Sequence, residues 1–189
     1  MNHSRLGRQA APAWLAGLTA VLLAVPLPAA ARRAAEQPPA PALEGVVSKV
    51  TDGDSLWFTP KGQPPIEVRL RDIDAPETCQ PWGEEARKAL AEMALGKPAL
   101  LRISARDSYG RAVGTVVVDE VNLGRHMVEE GHAWSSRGRS DRGPLVAQER
   151  MAKALGRGLH AAGGAVMPKV FRASHGPCPM PTPAPTKTP

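Results

Sequence analysis

Three short clusters carry side chains that could do chemistry together. They are Asp52-Gly53-Asp54-Ser55, the run from Arg69 to Asp74-Ala75-Pro76-Glu77, and Asp107-Ser108-Tyr109-Gly110-Arg111. The first two flank a hairpin. With its turn centred near Gly62 and Gln63, Asp54 falls opposite roughly Arg71, at the end of the ribbon that also holds Asp72 and Asp74. Carboxylates brought together repel unless a cation lies between them, and oxygen ligands suit hard cations such as Ca²⁺ or Mg²⁺. A metal and guanidinium groups neutralise charge on phosphoryl oxygens, and the planar fork of arginine meets two phosphate oxygens at once. A carboxylate orients or deprotonates an attacking water. Asp54, Asp74, Arg69, Arg111 and Glu77 together match what phosphodiester hydrolysis needs. Taken singly, the first cluster is equally a turn between strands, the second a loop opening to a helix, and Tyr109-Gly110-Arg111 a hairpin turn.

The elements that must position these residues are read from period and punctuation. Gly45 to Thr51 and Ser55 to Thr59 read as strands, and Ile66, Val68 and Leu70 alternate with charged residues, as in a half-buried strand. Lys61 to Pro64 supplies the turn. Glu84 to Leu95 reads as a helix stopped by Gly96 and Pro98. Ala99 to Ile103 and Val113 to Val118 are two more strands, and Asn122 to Glu130 and Leu145 to Leu155 two more helices. The expected class is α+β: a five-stranded OB-fold barrel with three helices, an architecture whose open side commonly binds nucleic acid.

The clusters also resemble, in order and spacing, the signatures of the staphylococcal nuclease-like family: D-G-D-S, R-L-R-D-I-D-A-P-E, D-S-Y-G-R and G-H-A-W. Arg69 lies five residues before Asp74, Glu77 three after it, and Gly131 twenty after Arg111. The resemblance runs from about Gly45 to Arg172. It implies one Ca²⁺ and cleavage of DNA and RNA that leaves 3′-phosphates. It further implies that Asp54 and Asp74 are metal ligands with the backbone carbonyl of Ala75, and that Asp52 is an outer acid near the metal. Glu77 takes the place of the general base, and Arg69 and Arg111 those of the phosphate-binding arginines. There are two departures. Ser108 replaces a phosphate-contacting Lys, and Arg137 and Arg139 occupy a stretch where relatives carry tyrosines that pack on the nucleotide. Tyr109, Arg137 and Arg139 are therefore candidate substrate contacts, with phosphate attraction favoured over base stacking; the plainer reading of Arg137, Arg139 and Arg142 is a solvated basic loop.

Composition frames this reading. The 189 residues carry a formal charge of +6 and only 4% aromatics; a basic balance suits an anionic partner, although many exported proteins are basic for no such reason. Residues 1–31 read as a signal peptide: Arg5 and Arg8, an apolar Trp14 to Leu27, and Ala29-Ala30-Ala31 before the cut. An uncleaved N-terminal anchor is the alternative. Loss of Arg5 and Arg8 would leave a charge of +4. A Pro/Ala-rich linker follows at 32–43, the folded domain at 44–174 and a Pro-rich tail at 175–189. The expected location is periplasmic or secreted, with no stable membrane association once the leader is cut, and the expected state a monomer. Export lets a disulfide persist, so Cys79 and Cys178 are either one bridge or two free thiols. The sequence has no Walker loop, nucleophile elbow or zinc-protease helix, and His126, His132, His160 and His175 lack metal spacing. The rival readings are a catalytically silent OB-fold module that only holds nucleic acid, and an envelope-associated interaction protein.

Overall fold

The computed structural model describes residues 41–137, 142–161, 163, 165–176 and 178. The expected leader, most of the linker, Arg139 and the tail beyond 178 lie outside the described residues.

Five long strands form the barrel: β1 (Leu43–Val50), β2 (Ser55–Pro60), β3 (Ile66–Leu70), β5 (Pro98–Arg106) and β6 (Ala112–Val118). Their order is β3-β2-β1-β5-β6, and a parallel pairing of β3 with β6 closes the ring. Closure removes the open sheet edge. Alternation does the sorting. Along β6, Ala112, Gly114, Val116 and Val118 point inward while the residues between them are half-exposed. Phe58, Leu56, Val68, Leu101 and Val116 fill the interior with no exposed surface. Bulges between Val47 and Lys49 in β1 and between Ile103 and Ala105 in β5 let the strands bend around so small a barrel.

The hairpin register differs from expectation by one residue. Ser55 faces Arg69 and Leu56 faces Val68. The Leu70 N–H donates to the Asp54 carbonyl at 2.7 Å, so Asp54 stands opposite Leu70 rather than Arg71. Pairing must keep Leu56, Val68 and Leu70 on the core side, and a one-residue slip would reverse every face.

Two elements too short for any periodicity complete the site end. After β3 the chain turns at Asp72, whose φ of 70° is left-handed, a conformation aspartate tolerates better than most residues. It then runs into β4 (Ile73–Asp74), which pairs with β8 (Trp134–Ser135). The two-residue β7 (Val121–Asn122) extends the sheet beyond β6. Helices α1 (Gly83–Ala94), α2 (Leu123–Glu129) and α3 (Val146–Ala154) match the three expected. A fourth, α4 (Pro168–His175), goes beyond that expectation. Its signals are Pro168 at the first turn and Gly176 just past the end.

Cys79 and Cys178 are joined in a disulfide. It spans 99 residues, a loop whose closure stabilises the fold by on the order of 4 kcal/mol through lost chain entropy of the unfolded state.

Candidate active site

One cleft of about 430 Å³ opens at the β4 end of the barrel. Asp52, Asp54, Arg69, Ala75, Glu77, Tyr109 and Arg111 all line it, so the structure gathers seven of the singled-out residues in one place. Arg137 is not among them.

The floor is the turn between β1 and β2. Asp54 is buried, with 3% of its surface exposed. Its Oδ1 accepts from Ser55 Oγ at 2.9 Å, and its Oδ2 accepts from the Ala75 N–H at 3.1 Å. The Asp52 carboxylate accepts from the Asp54 N–H at 2.9 Å. Gly53 lets this turn sit against two neighbours: a Cβ there would stand 2.8 Å from the methyl groups of both Ala75 and Ala86. The turn is thereby wedged between the Asp74–Ala75 segment and α1. Gly83, at the start of α1, permits a second close approach, since a Cβ there would fall on the Glu77 carbonyl oxygen.

Arg69 reaches from β3 between the acids. Its Nη2 lies 2.8 Å from Asp54 Oδ2 and 3.0 Å from Asp74 Oδ1. From the opposite side Arg172, on α4, donates to Glu77 Oε1 at 2.5 Å and stands 3.7 Å from Asp74. Arg111 is oriented by Asp107, which accepts from its Nε at 2.8 Å and from its backbone N–H at 3.0 Å. Among the described residues no group takes its terminal nitrogens, which are left for an anion. The Tyr109 ring is 84% exposed and lies 5.6 Å from the Arg111 guanidinium. It is not packed into the core and is free to meet a ligand.

The charges do not balance. Asp52, Asp54 and Glu77 line the cleft and Asp74 adjoins it through Arg69 and Arg172, four carboxylates against those two guanidinium groups; Asp107 and Arg111 offset each other. Two negative charges remain with Asp52 ionised, and one with it protonated. Burial, then the charge of Asp54, push the Asp52 carboxyl up to about 7. The same two causes raise Asp74, against the pull of Arg172 and Arg69. Such an excess fits a divalent cation. The donors on offer are all oxygen, the chemistry of Ca²⁺ or Mg²⁺ rather than of a soft metal. Among the described residues no three acidic, histidine or cysteine side chains form a ready-made cage. The fitting set is the Asp54 and Asp74 carboxylates with the Ala75 carbonyl.

Other residues singled out in the sequence lie elsewhere. Arg137 donates to Glu149 Oε1 at 2.7 Å and lies against Met167. It braces α3 against the segment after β8 and does not face the cleft. Its buried partner lies twelve residues away and leaves no local signal. Arg142 is exposed. Trp134 is buried, and Trp82 stacks on His132 and donates to it at 3.2 Å. Sequence alone points to no role for Asp107, the orienter of Arg111, or for Arg172. Asp107 does have a local signal, an Asx turn in which it accepts from the Tyr109 N–H at 3.0 Å.

Residues 67–162 match the family described as staphylococcal nuclease homologue. A Haemophilus influenzae protein named an uncharacterized endonuclease is 33% identical over 126 residues, covering 67% of this chain and 71% of that one. A Shigella flexneri protein named micrococcal nuclease is 35% identical, covering 49% of this chain and 58% of its own length. A probable staphylococcal-like nuclease of Oryza sativa is 37% identical, covering 56% of this chain. The match spans only 28% of that plant relative's length. The chain belongs to the staphylococcal nuclease homologues and is a hydrolytic nuclease of that class. Members of the family generally depend on a metal ion.

Proposed function

We propose that this nuclease is exported, depends on Ca²⁺, and cuts DNA and RNA with low sequence specificity, leaving 3′-phosphates. The observation that carries the reading is the cleft lined by Asp54, Arg69, Glu77 and Arg111, where Arg69 bridges Asp54 to Asp74 and carboxylates outnumber the guanidinium groups that offset them. Asp54, Asp74 and the Ala75 carbonyl would hold the cation, which supplies charge neutralisation at the phosphoryl oxygens. Arg69 and Arg111 approach the same region from two sides and bind those oxygens as charge builds on them. Glu77 orients the attacking water and accepts its proton. Its Oε1 is tethered by Arg172, and its Oε2 has no partner among the described residues.

Low specificity follows from what lines the cleft. Guanidinium groups read phosphates, and base edges carry the sequence information. Tyr109 is the one aromatic side chain among the lining residues, and stacking tolerates any base. Export rests on the leader pattern of 1–31, and the Cys79–Cys178 bond supports an oxidising compartment.

The test is incubation of the purified protein with single-stranded DNA and with RNA, with Ca²⁺ and with a chelator, followed by end-group analysis. Calcium-dependent cutting that leaves 3′-phosphates is expected. Binding without cutting under any divalent cation would make the barrel a nucleic-acid-holding module instead.

A further inference from the structure

We propose that Arg172 is a positioning residue for Glu77, and that the Cys79–Cys178 disulfide is the latch that keeps it in place. The inference rests on the nuclease reading above and concerns an element beyond the matched family segment. That segment ends at 162, while α4 begins at Pro168.

The loop that carries Glu77 is tied to the C-terminal segment at three nearly adjacent points. Glu77 accepts from Arg172, Cys79 is bonded to Cys178, and the Gln80 amide donates to the Val166 carbonyl at 2.5 Å. Gln80 also closes the loop on itself, its side chain accepting from the Glu77 N–H at 3.2 Å and its own N–H donating to the Glu77 carbonyl at 2.8 Å. The two segments are nearly a hundred residues apart in sequence, so this is the fold's way of bringing a distant arginine to the candidate base.

Helix α4 has little apolar packing of its own with which to hold Arg172. It is eight residues long, and only Pro168 and Phe171 are buried. A helix this short is marginal without tertiary support. Phe171 stacks on His175, its own neighbour one turn on, with ring centroids 4.3 Å apart. The covalent anchor three residues past the helix adds a second hold to that small apolar face.

The contact has a specific chemical consequence. Arg172 engages Glu77 Oε1, and Oε2 of this cleft-lining side chain has no partner among the described residues. One carboxylate oxygen is fixed and the other is free to receive a proton from water. The same nitrogen stands 3.7 Å from Asp74, so one guanidinium spans the metal side and the base side of the cleft. A base displaced by about 1 Å loses on the order of a hundredfold in rate. The pair is partly exposed, 42% and 28% for the two side chains, and such pairs contribute little to stability. A kinetic effect is therefore separable from unfolding.

The experiment compares wild type, Arg172→Ala, Arg172→Lys, the latch-free Cys79→Ser/Cys178→Ser protein, and the latch-free protein carrying Arg172→Ala. It measures Ca²⁺-dependent cleavage kinetics and the melting temperature of each. Arg172→Ala should lower kcat roughly 10- to 100-fold, with KM within about threefold of wild type and Tm lowered by no more than about 4 °C. Arg172→Lys should recover part of kcat, since it keeps the charge but not the fork. The latch-free protein, assayed well below its own melting temperature, should lose kcat as well. Adding Arg172→Ala to it should cost less than in the latched protein, because both changes remove the same contact.

Unchanged or increased kcat in Arg172→Ala overturns the proposal. So does a raised KM with wild-type kcat, which would make Arg172 a substrate-binding group. Additive effects of latch and arginine overturn the latch. A wild-type protein that cuts nothing overturns the functional reading itself, and this inference with it; an active wild type beside an equally active Arg172→Ala overturns the inference only.

Discussion

Replacing Glu149 by Gln should destabilise the protein by about 3 kcal/mol without changing side-chain volume. Glu149 has 1% of its surface exposed. Its Oε2 accepts from the Ser135 N–H at 3.0 Å, and its Oε1 accepts from Arg137 at 2.7 Å and from Lys153 at 2.5 Å. Glutamine can accept from one donor, but it turns an NH₂ toward another and removes the charge that two cations share. Breaking a buried pair this way costs about 3–5 kcal/mol. Lys153 is 46% exposed and can return to water, which sets the lower end of that range. For a domain of this size the melting temperature should fall by roughly 10 °C. The pH dependence gives an independent check. Burial alone would raise the Glu149 carboxyl, but the Lys153 hydrogen bond, the Ser135 amide and the charges of Lys153 and Arg137 outweigh it and hold it below its usual value. A group lowered in the folded state contributes its stability in full above its unfolded value, near 4.3, and loses it as pH falls through the folded value. The gap between wild type and Glu149→Gln in urea denaturation should therefore be constant near neutrality and shrink below about pH 4. A gap under about 1 kcal/mol at pH 7, or one that widens on acidification, would show that the buried charge is not what holds this junction. The effect should reach the active site, because Ser135 pairs with Ile73 and Trp134 with Asp74.

Two further substitutions probe the cleft. Gly53→Ala should overpack the junction of the Asp52–Asp54 turn with Ala75 and Ala86, at a cost of about 1–3 kcal/mol. Calorimetric titration should also show weaker Ca²⁺ binding, and an unchanged titration would mean the turn relaxes freely. Arg111→Ala should lower kcat by about 10²- to 10³-fold, because charge developing on the phosphoryl group goes unpaired. A change confined to KM at low salt would make Arg111 a binding group alone.

How far the sequence reveals all this depends on whether the determining contact is local. The three acidic and basic clusters are short runs, and their order and spacing point to both the barrel and the cleft residues. The β2–β3 register is legible to within one residue, since turn chemistry brackets Gly62 and Gln63 while only the core decides which face Leu56 and Leu70 take. The pairing of β4 with β8 is not legible, because two residues have no period. The pairing of Arg137 with Glu149 is not legible, because Glu149 sits on a helix whose orientation only the tertiary structure sets. Arg172 reaches Glu77 through a bond that closes 99 residues. Cysteine counting suggests the bridge, but nothing in the sequence says what the bridge delivers.

In the proposed function the site chemistry turns on Glu77 acting on the attacking water while the surrounding groups hold cation and phosphate. The direct measurement is Ca²⁺-dependent turnover of single-stranded DNA by Glu77→Gln beside wild type, with DNA binding measured on both. Binding should stay close to wild type while turnover falls by several orders of magnitude, on the scale lost when a catalytic group that acts in the transition state is removed. Turnover comparable to wild type would contradict this assignment and remove Glu77 from the mechanism.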